Sequence, residues 1–443
     1  MSSVLFTGAR LFRGIDDEVI DPAAVWVDGE LIRWAGPERD LPAMPDDVTR
    51  VPLGGAFVMP GMTESHAHLS YSNSGPFELD RTPVELSMIN AVDNARRMLA
   101  SGFTSAVSFG GVHRIDVHLR DAIDAGRIPG PRLLASGRDV GGTASNADLH
   151  PDHFRPQLEG LGMVVDGPWA VRQAVRTLRK SGGDVIKIFL DGENFSAHAP
   201  PGELTYRDEE VDAAVDEAHR RNMRVCCHAR SAAAVKQAVR FGVDFIGHAN
   251  YLDDEALDLL KRHRDRLVVG PAIAWEMQLL ARHDELGIPA RVVSEKGYHE
   301  EVAATVRSVR RLREAGVRVL IGGDYGLNIT PHGTYAKDLE YFVDLFGMSP
   351  ADALLCATRD GGAAMDPSGM LGTLEAGKLA DLVIVHGDPL ADIRILQDHA
   401  RIKTVIKGGQ AYRGLLSRPW RVADPIELAA QDEKPPADLH AAR

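Results

Sequence analysis

The chain is poor in cysteine, in aromatic residues and in long apolar runs. Its three cysteines, Cys226, Cys227 and Cys356, have no metal-type spacing, and an odd number cannot form a complete disulfide framework. We therefore expect a reducing, cytoplasmic setting. No apolar run approaches the length that crosses a bilayer. The N-terminus lacks the basic segment and apolar run of a signal peptide, which agrees with that expectation.

The chain also has a deficit of positive charge. Its 50 basic residues stand against 63 acidic ones, which gives a net charge of −13. This balance argues against nucleic acid or an anionic membrane as a partner and favours a small-molecule partner. A content of 44% hydrophobic and 26% charged residues is ordinary for a globular protein, and 443 residues are enough for a barrel with extensions.

The hydrophobic pattern changes twice along the chain. Residues 1–58 and 369–418 contain short apolar runs separated by turn residues, so we expect them to form one composite β-sandwich domain. Residues 59–368 alternate continuous apolar strands with amphipathic helices, among them helices predicted over Val84–Ala100 and Ala232–Phe241. Eight such units predict an α/β fold, specifically a (β/α)8 TIM barrel. Residues 419–443 are polar and are expected to form a tail.

Short apolar runs mark the eight predicted barrel strands. In order they are Ser65–Leu69, Thr104–Phe109, Arg132–Ser136, Val185–Leu190, Val225–His228, Phe245–His248, Leu267–Val269 and Val319–Ile321. The long segment Ala274–Tyr298 follows the seventh strand. We expect it to cover the barrel mouth as a lid, because long loops without a function are uncommon.

Polar residues interrupt these apolar strands at or near their C-terminal ends. The set contains four histidines, one lysine and one aspartate, namely His66, His68, Lys187, His228, His248 and Asp324. His66 and His68 are two residues apart, so on a strand their side chains point the same way. The C-terminal ends of the strands form the rim where barrel enzymes hold their active sites. We therefore expect the six side chains to meet there.

This set of side chains suits two divalent cations in one cavity. Imidazole nitrogens suit zinc or a similar metal, and the carboxylate of Asp324 adds a ligand and a base. Lys187 is a poor ligand as an ammonium group, but after reaction with carbon dioxide its carbamate could bridge both cations. The two cations would lower the pKa of a shared water, and Asp324 would carry its proton to the leaving group.

Each of these residues also has a purely structural alternative. His66 and His68 could be a solvated loop pair, and His228 and His248 could be hydrogen-bonded core residues. Lys187 could extend its ammonium group to the strand end, and Asp324 could cap the next helix. Capping and packing alone do not explain why all of them fall at strand ends. The joint pattern therefore favours the metal site.

With this set of residues, the sequence resembles the amidohydrolase superfamily of metal-dependent hydrolases, especially its prolidase- and imidazolonepropionase-type members. The resemblance covers nearly the whole chain. Its strongest motifs are Pro60–His68, Val185–Ile188, Glu217–Asn222, Gly323–Asp324, Pro331–Gly333 and Leu371–Leu382. It implies that His66, His68 and Asp324 hold one metal ion and that His228 and His248 hold the other. Carboxylated Lys187 would bridge the two ions.

The sequence departs from those relatives around the expected pocket, so the substrate is harder to predict than the metal chemistry. A glycine–histidine pair is common after the third strand, but residues 140–146 contain no histidine. Second-rank candidates are Tyr251 as an oxyanion donor and His332 as a substrate or ligand-orienting group. Arg230 is a candidate for binding a substrate carboxylate, and His198 is a candidate on the loop over the site.

These observations predict a binuclear hydrolase, with zinc as the expected metal, that cleaves an amide-type C–N bond. The candidate substrates are N-acyl amino acids, dipeptides, aryl amides and cyclic amides. Hydrolysis of a lactone, ester or phosphoester by the same centre stays open. A deaminase acting on a cyclic amidine is disfavoured, because such relatives normally replace the lysine at position 187. The non-enzyme alternative, an inactive scaffold, is also disfavoured, because a scaffold has no need of buried polar groups at the strand ends. The resemblance also implies self-association into a homo-oligomer.

Overall fold

The computed structural model describes residues 3–150, 153, 160–196, 198–413, 416 and 421–422. In chain order the strands are β1 (Ser3–Phe12), β2 (Val19–Asp28), β3 (Leu31–Pro37), β4 (Thr49–Pro52), β5 (Phe57–Pro60), β6 (Met62–Ala67), β7 (Phe103–Ser108), β8 (Arg132–Leu134), β9 (Asp139–Gly141), β10 (Gly162–Val164), β11 (Val185–Phe189), β12 (Arg224–Ser231), β13 (Phe245–Tyr251), β14 (Val268–Gly270), β15 (Leu382–Val385), β16 (Ile402–Lys407), β17 (Gln410–Arg413) and β18 (Arg421–Val422). The α-helices are α1 (Pro76–Leu79), α2 (Val84–Ala100), α3 (Ile115–Asp124), α4 (Pro168–Lys180), α5 (Asp208–His219), α6 (Ala232–Phe241), α7 (Asp254–Arg262), α8 (Ile273–Arg282), α9 (Ala290–Glu295), α10 (Tyr298–Glu314), α11 (Lys337–Asp344), α12 (Pro350–Leu355) and α13 (Gly361–Met365). Within the described ranges, no helix is both long enough and apolar enough to cross a membrane.

Both ends of the chain contribute to one sheet of nine strands. Its order is β18-β17-β16-β15-β5-β1-β2-β3, and β4 pairs with β1. The two ends meet where β15 runs antiparallel to β5, with Val383 opposite Met59. Buried residues such as Val25, Ile32 and Leu382 form a separate apolar core for this sheet. The composite β-structure is therefore present as one continuous sheet. The sandwich arrangement remains a prediction. The tail remains one as well, because residues 419–443 lie outside the described ranges except for β18.

Parallel strands form the middle of the chain in two groups. One group has the order β6-β7-β8, and the other has the order β10-β9-β11-β12-β13-β14. Backbone hydrogen bonds join the groups directly on one side and through the segment Val319–Ile321, which is bonded to β14, on the other. The Asp184 N–H donates to Ala135 O (2.7 Å) between β8 and β11, and the Ser65 N–H donates to Ile321 O (3.2 Å) beside β6. The strand ends that carry the predicted site residues therefore face one region.

One of the eight predicted barrel strands differs from the prediction. Val319–Ile321 makes a single parallel bridge, between Val269 and Val319, in place of a continuous ladder. Its backbone still forms hydrogen bonds on both sides, with Val269 of β14 and with Ser65 of β6. Gly322 and Gly323 follow it, and Asp324 has a left-handed backbone with φ +58°. The backbone therefore turns out of the ladder within a few residues. The other seven strands are present, and the short strands β9 and β10 were not predicted.

The helices agree well with the apolar periodicity. α2 and α6 have the predicted bounds, and α2 buries Ala91, Ala95 and Met98 against the sheet core. The predicted lid segment is largely helical, because it contains α8 and α9 and reaches the start of α10. Its residues Trp275 and Tyr298 belong to a small apolar cluster of their own.

Candidate metal centre

His66 and His68 lie at the end of β6, and both are buried. Their ring centroids are 5.2 Å apart, as expected for residues on the same side of a strand. Nδ1 of His68 lies 3.0 Å from the carbonyl oxygen of Gly110, so its N–H donates there in the neutral ring. Tyr71 stacks on the His68 ring at 4.4 Å. Nε2 of His68 therefore points into the site, toward Asp324, in a fixed orientation.

Asp324 reaches the same two histidines from the segment after Val319–Ile321. Its Oδ1 lies 3.0 Å from Nε2 of His68 and 3.6 Å from Nε2 of His66. The backbone of Asp324 occupies the left-handed region, which costs energy for a residue other than glycine. Residues in this strained conformation occur preferentially at functional sites. Burial opposes ionisation of Asp324, but the nearby His66, His68 and Lys187 hold its pKa below the usual range.

His228 and His248 come from the neighbouring strands β12 and β13. Their ring centroids are 4.3 Å apart, and His248 lies 5.3 Å from the ring of His66. Both ring nitrogens of His248 are buried and have no hydrogen-bond partner among the residues that the structure describes. The backbone of His248 also has a positive φ, +82°. A buried, unpaired imidazole held in a strained conformation calls for a partner that protein atoms do not supply.

Burial controls the protonation of these rings. It lowers the pKa of His66, His228 and His248 well below the usual value for histidine, and neighbouring cationic groups add to the effect. The three rings are therefore neutral near pH 7. Neutral imidazole is the form that binds a metal ion.

Lys187 lies in β11 and is 2% exposed. Its Nζ is 5.0 Å from the ring centroids of Phe109 and Phe189. Among the described residues, no carboxylate lies within ion-pair distance of this nitrogen. A buried ammonium group without a carboxylate partner is costly, so Lys187 calls for a partner or a covalent modification that the described residues do not supply.

Two groups of ligand atoms have the spacing required to hold a cation. In each, the ligand atoms lie within 4.8 Å of one another. One group is His66, His248 and Asp324, and the other is Glu193, His228 and His248. Imidazole and carboxylate ligands suit zinc and similar divalent metals. The residues present therefore fit a metal centre.

Glu193 was not predicted from the sequence. It follows β11, the strand of Lys187, and its Oε1 lies 3.5 Å from Nδ1 of His228. The available signal was an acidic residue just beyond the C-terminal end of a barrel strand. That signal is weak, because loops after strands commonly contain acidic residues.

A cavity opens onto these groups. Its polar lining includes Asp139 and Asn146, which also were not predicted, besides His66, His68, Lys187, Glu193, His228 and Asp324. Its remaining wall is apolar and consists of Tyr71, Pro76, Leu79, Leu149, Leu161, Phe189, Phe195, Trp275 and Leu327. Trp275 brings the predicted lid segment into this wall. A concave, mostly apolar site with a few convergent polar groups is typical of small-molecule binding.

Three of the second-rank candidates lie away from the cavity. Tyr251 is half-buried and lines a separate groove near Arg311. His198 is exposed and does not line the cavity. His332 is buried, with Nδ1 2.7 Å from the Tyr335 hydroxyl and Nε2 3.2 Å from the carbonyl oxygen of Tyr71. Both ring nitrogens of His332 are occupied, which fits the ligand-orienting alternative and not direct contact with substrate.

Arg230 is completely buried and is surrounded by carboxylates of the chain itself. Its guanidinium nitrogens lie 2.7 Å from Glu193, 2.6 Å from Glu276 and 2.6 Å from Glu301. Asn250 accepts a further hydrogen bond at 3.3 Å. Arg230 does not line the cavity. The expected role in binding a substrate carboxylate therefore has no geometric support, because three internal carboxylates already neutralise this cation.

Comparison with known proteins agrees with this arrangement. The sequence model of the amidohydrolase family matches residues 57–412, and the chain belongs to that family. Its homologues are hydrolases that act on carbon–nitrogen bonds, and this protein is an enzyme of that kind. The predicted resemblance is thereby confirmed.

The chain is similar to several proteins over most of its length. It is 27% identical over 430 residues to the ochratoxinase of Aspergillus niger, covering 91% of this chain and 86% of that protein. It is 24% identical over 400 residues to the imidazolonepropionase of Aromatoleum aromaticum, with coverages of 86% and 89%. The structure of a prolidase in complex with N-methylphosphonate-L-proline superposes with a TM-score of 0.83. That match has 28% identity and covers 93% of this chain and 99% of the prolidase.

Proposed function

We propose that the protein is a binuclear metal-dependent amidohydrolase that cleaves an amide-type C–N bond in a small molecule. The observation that carries this proposal is the buried His248, whose two ring nitrogens have no partner. Its ring belongs to both groups of ligand atoms described above. A cation at the lone-pair nitrogen of this ring would give it a partner that the described residues do not supply.

The proposed ligand set is the one that the family resemblance implies, and the close approach of these side chains supports it. His66, His68 and Asp324 would hold one cation, and His228 and His248 the other, with zinc as the expected metal. Lys187 would bridge them as a carbamate formed with carbon dioxide. When bound, the cations would polarise the carbonyl group of the substrate and lower the pKa of a water molecule.

Asp324 is the proposed proton carrier. Its Oδ1 faces His66 and His68, so Oδ2 is the oxygen that would take a proton from the attacking water. The same oxygen would then give the proton to the leaving nitrogen, because a general base of one step serves as the general acid of the next. The Tyr71 ring and the hydrogen bond of His332 to the Tyr71 carbonyl would keep His68 in place.

The surrounding fold is proposed to follow the sequence expectation. Residues 59–368 would form the (β/α)8 barrel, and residues 1–58 and 369–418 would form the composite β-sandwich. The helical segment around Trp275 would act as the lid, excluding water and strengthening electrostatic interactions inside. We further propose a cytoplasmic homo-oligomer.

Metal analysis and a substrate panel test the proposal. The protein should contain two divalent ions per chain, measured by plasma mass spectrometry. It should hydrolyse members of a panel of N-acyl amino acids, dipeptides, aryl amides and cyclic amides. Chelation should abolish turnover, and zinc should restore it. A protein without bound metal, or one active only on lactones or phosphoesters, would contradict the proposal.

A further inference from the structure

The tautomer of His228 is determined by the backbone. Its Nε2 lies 3.2 Å from the carbonyl oxygen of Gly192. A carbonyl oxygen only accepts hydrogen bonds, so Nε2 carries the proton of the neutral ring. Nδ1 of His228 therefore presents a bare lone pair, and it points toward Glu193 and not into solvent.

Two hydrogen-bond acceptors consequently face each other. Oε1 of Glu193 lies 3.5 Å from Nδ1 of His228, and no hydrogen bond joins them. A proton shared between the two atoms would draw them to about 2.7–3.0 Å. The observed separation of 3.5 Å leaves room for a metal cation between the two atoms.

Arg230 fixes Glu193 in this orientation. Oε2 of Glu193 lies 2.7 Å from a guanidinium nitrogen of Arg230, and that guanidinium is held in turn by Glu276 and Glu301. One oxygen is therefore anchored while the other faces His228 and His248. This contact is an ion pair, and outer partners of metal-binding carboxylates commonly orient them in this way.

We infer that Glu193 is a direct ligand of the second cation, completing a site of two histidines and one carboxylate with His228 and His248. This inference rests on the proposed function. A ligand set of two imidazoles and one carboxylate is typical of zinc and other borderline divalent metals. It gives the second cation an anionic side-chain ligand that does not depend on carboxylation of Lys187.

Metal binding by Glu193→Gln tests the assignment, with Glu276→Gln as the matched control. Both substitutions remove one buried carboxylate from the same guanidinium, but only Glu193 faces the histidines. Zinc binding to the metal-free proteins is measured by competition with a chromophoric chelator. We expect wild-type protein and Glu276→Gln to bind two ions with similar affinity. Glu193→Gln should bind its second ion on the order of 100-fold more weakly.

Equal weakening in both variants, or two ions bound normally by Glu193→Gln, would overturn the inference. In either case the wild-type protein would still hold two ions, so the proposed function would stand. Failure of wild-type protein to bind two ions would instead remove the proposed function. Anomalous diffraction from zinc-loaded wild-type crystals decides the question if a variant does not fold. A Glu193 oxygen is expected at about 2.0–2.2 Å from the ion, and a carboxylate outside the coordination sphere overturns the assignment.

Discussion

Substitution of Asp324 by asparagine separates proton transfer from metal binding. The amide has the same shape, and its oxygen can occupy the position of Oδ1, which lies 3.0 Å from His68. We therefore expect the Asp324→Asn protein to retain its metal ions. The amide nitrogen cannot accept a proton from water, so the shuttle is lost. General acid–base catalysis contributes roughly 10²–10⁴-fold to a rate.

The structure places the expected loss near the upper end of that range. The other carboxylates on the cavity wall are Asp139 and Glu193. Glu193 is tied to Arg230, and Asp139 lies on the side of Tyr71, 3.5 Å from its hydroxyl. Neither forms an ion pair with His66 or His68 as Asp324 does, so we expect neither to replace Asp324. A loss of about 10³–10⁴-fold in kcat corresponds to about 4–5 kcal/mol in activation free energy.

Steady-state kinetics and metal analysis on the same preparations provide the assay. The Asp324→Asn enzyme should contain wild-type amounts of metal, show a KM near that of the wild type and have a greatly reduced kcat. Near-wild-type kcat with metal retained would refute the proton-carrier role. Loss of metal would show that Asp324 serves mainly as a ligand.

Three further predictions concern neighbouring buried charges. Lys187→Ala should lose most activity by kinetic assay and recover part of it with added short-chain carboxylic acids, which can occupy the position of a carbamate. Arg230→Met leaves three buried glutamates without their cation, so the free energy of unfolding in urea should fall by about 3–5 kcal/mol. Burial raises the pKa of Asp338 to about 7. The Asp338 carboxyl group therefore loses its proton at a higher pH in the folded protein than in the unfolded chain. That group therefore costs stability as pH rises from about 4 to 7. In metal-free protein, Asp338→Asn should gain stability on the order of 3 kcal/mol at pH 8 relative to its effect at pH 5.

Each of these predictions has an outcome that contradicts it. Unchanged activity and metal content in Lys187→Ala would remove the carbamate bridge. A loss below about 1 kcal/mol in Arg230→Met would show that the glutamates are neutralised in another way. An equal effect of Asp338→Asn at both pH values would mean that this carboxylate ionises at its ordinary pKa.

The fold and the histidines were predictable because their signals are local. Apolar strands and amphipathic helices each leave a periodic pattern in the sequence. Most of the predicted strands, and helices such as α2 and α6, therefore lie at the predicted positions. The spacing of His66 and His68 follows directly from strand geometry. The segment before Asp324 was harder, since its apolar residues suggest a strand while Gly322 and Gly323 allow the backbone to leave it.

The amino-acid sequence by itself determined the family, the parallel strands and the set of candidate metal ligands, because polar residues at the ends of apolar strands can be recognised from sequence alone. Only the tertiary structure decided the partners of Arg230. Three glutamates from distant segments converge on it, and no local pattern encodes such a meeting. The position of Glu193 opposite His228 likewise depends on how the loop after β11 packs. That packing also leaves Tyr251 outside the cavity, although its strand delivers His248 to the site.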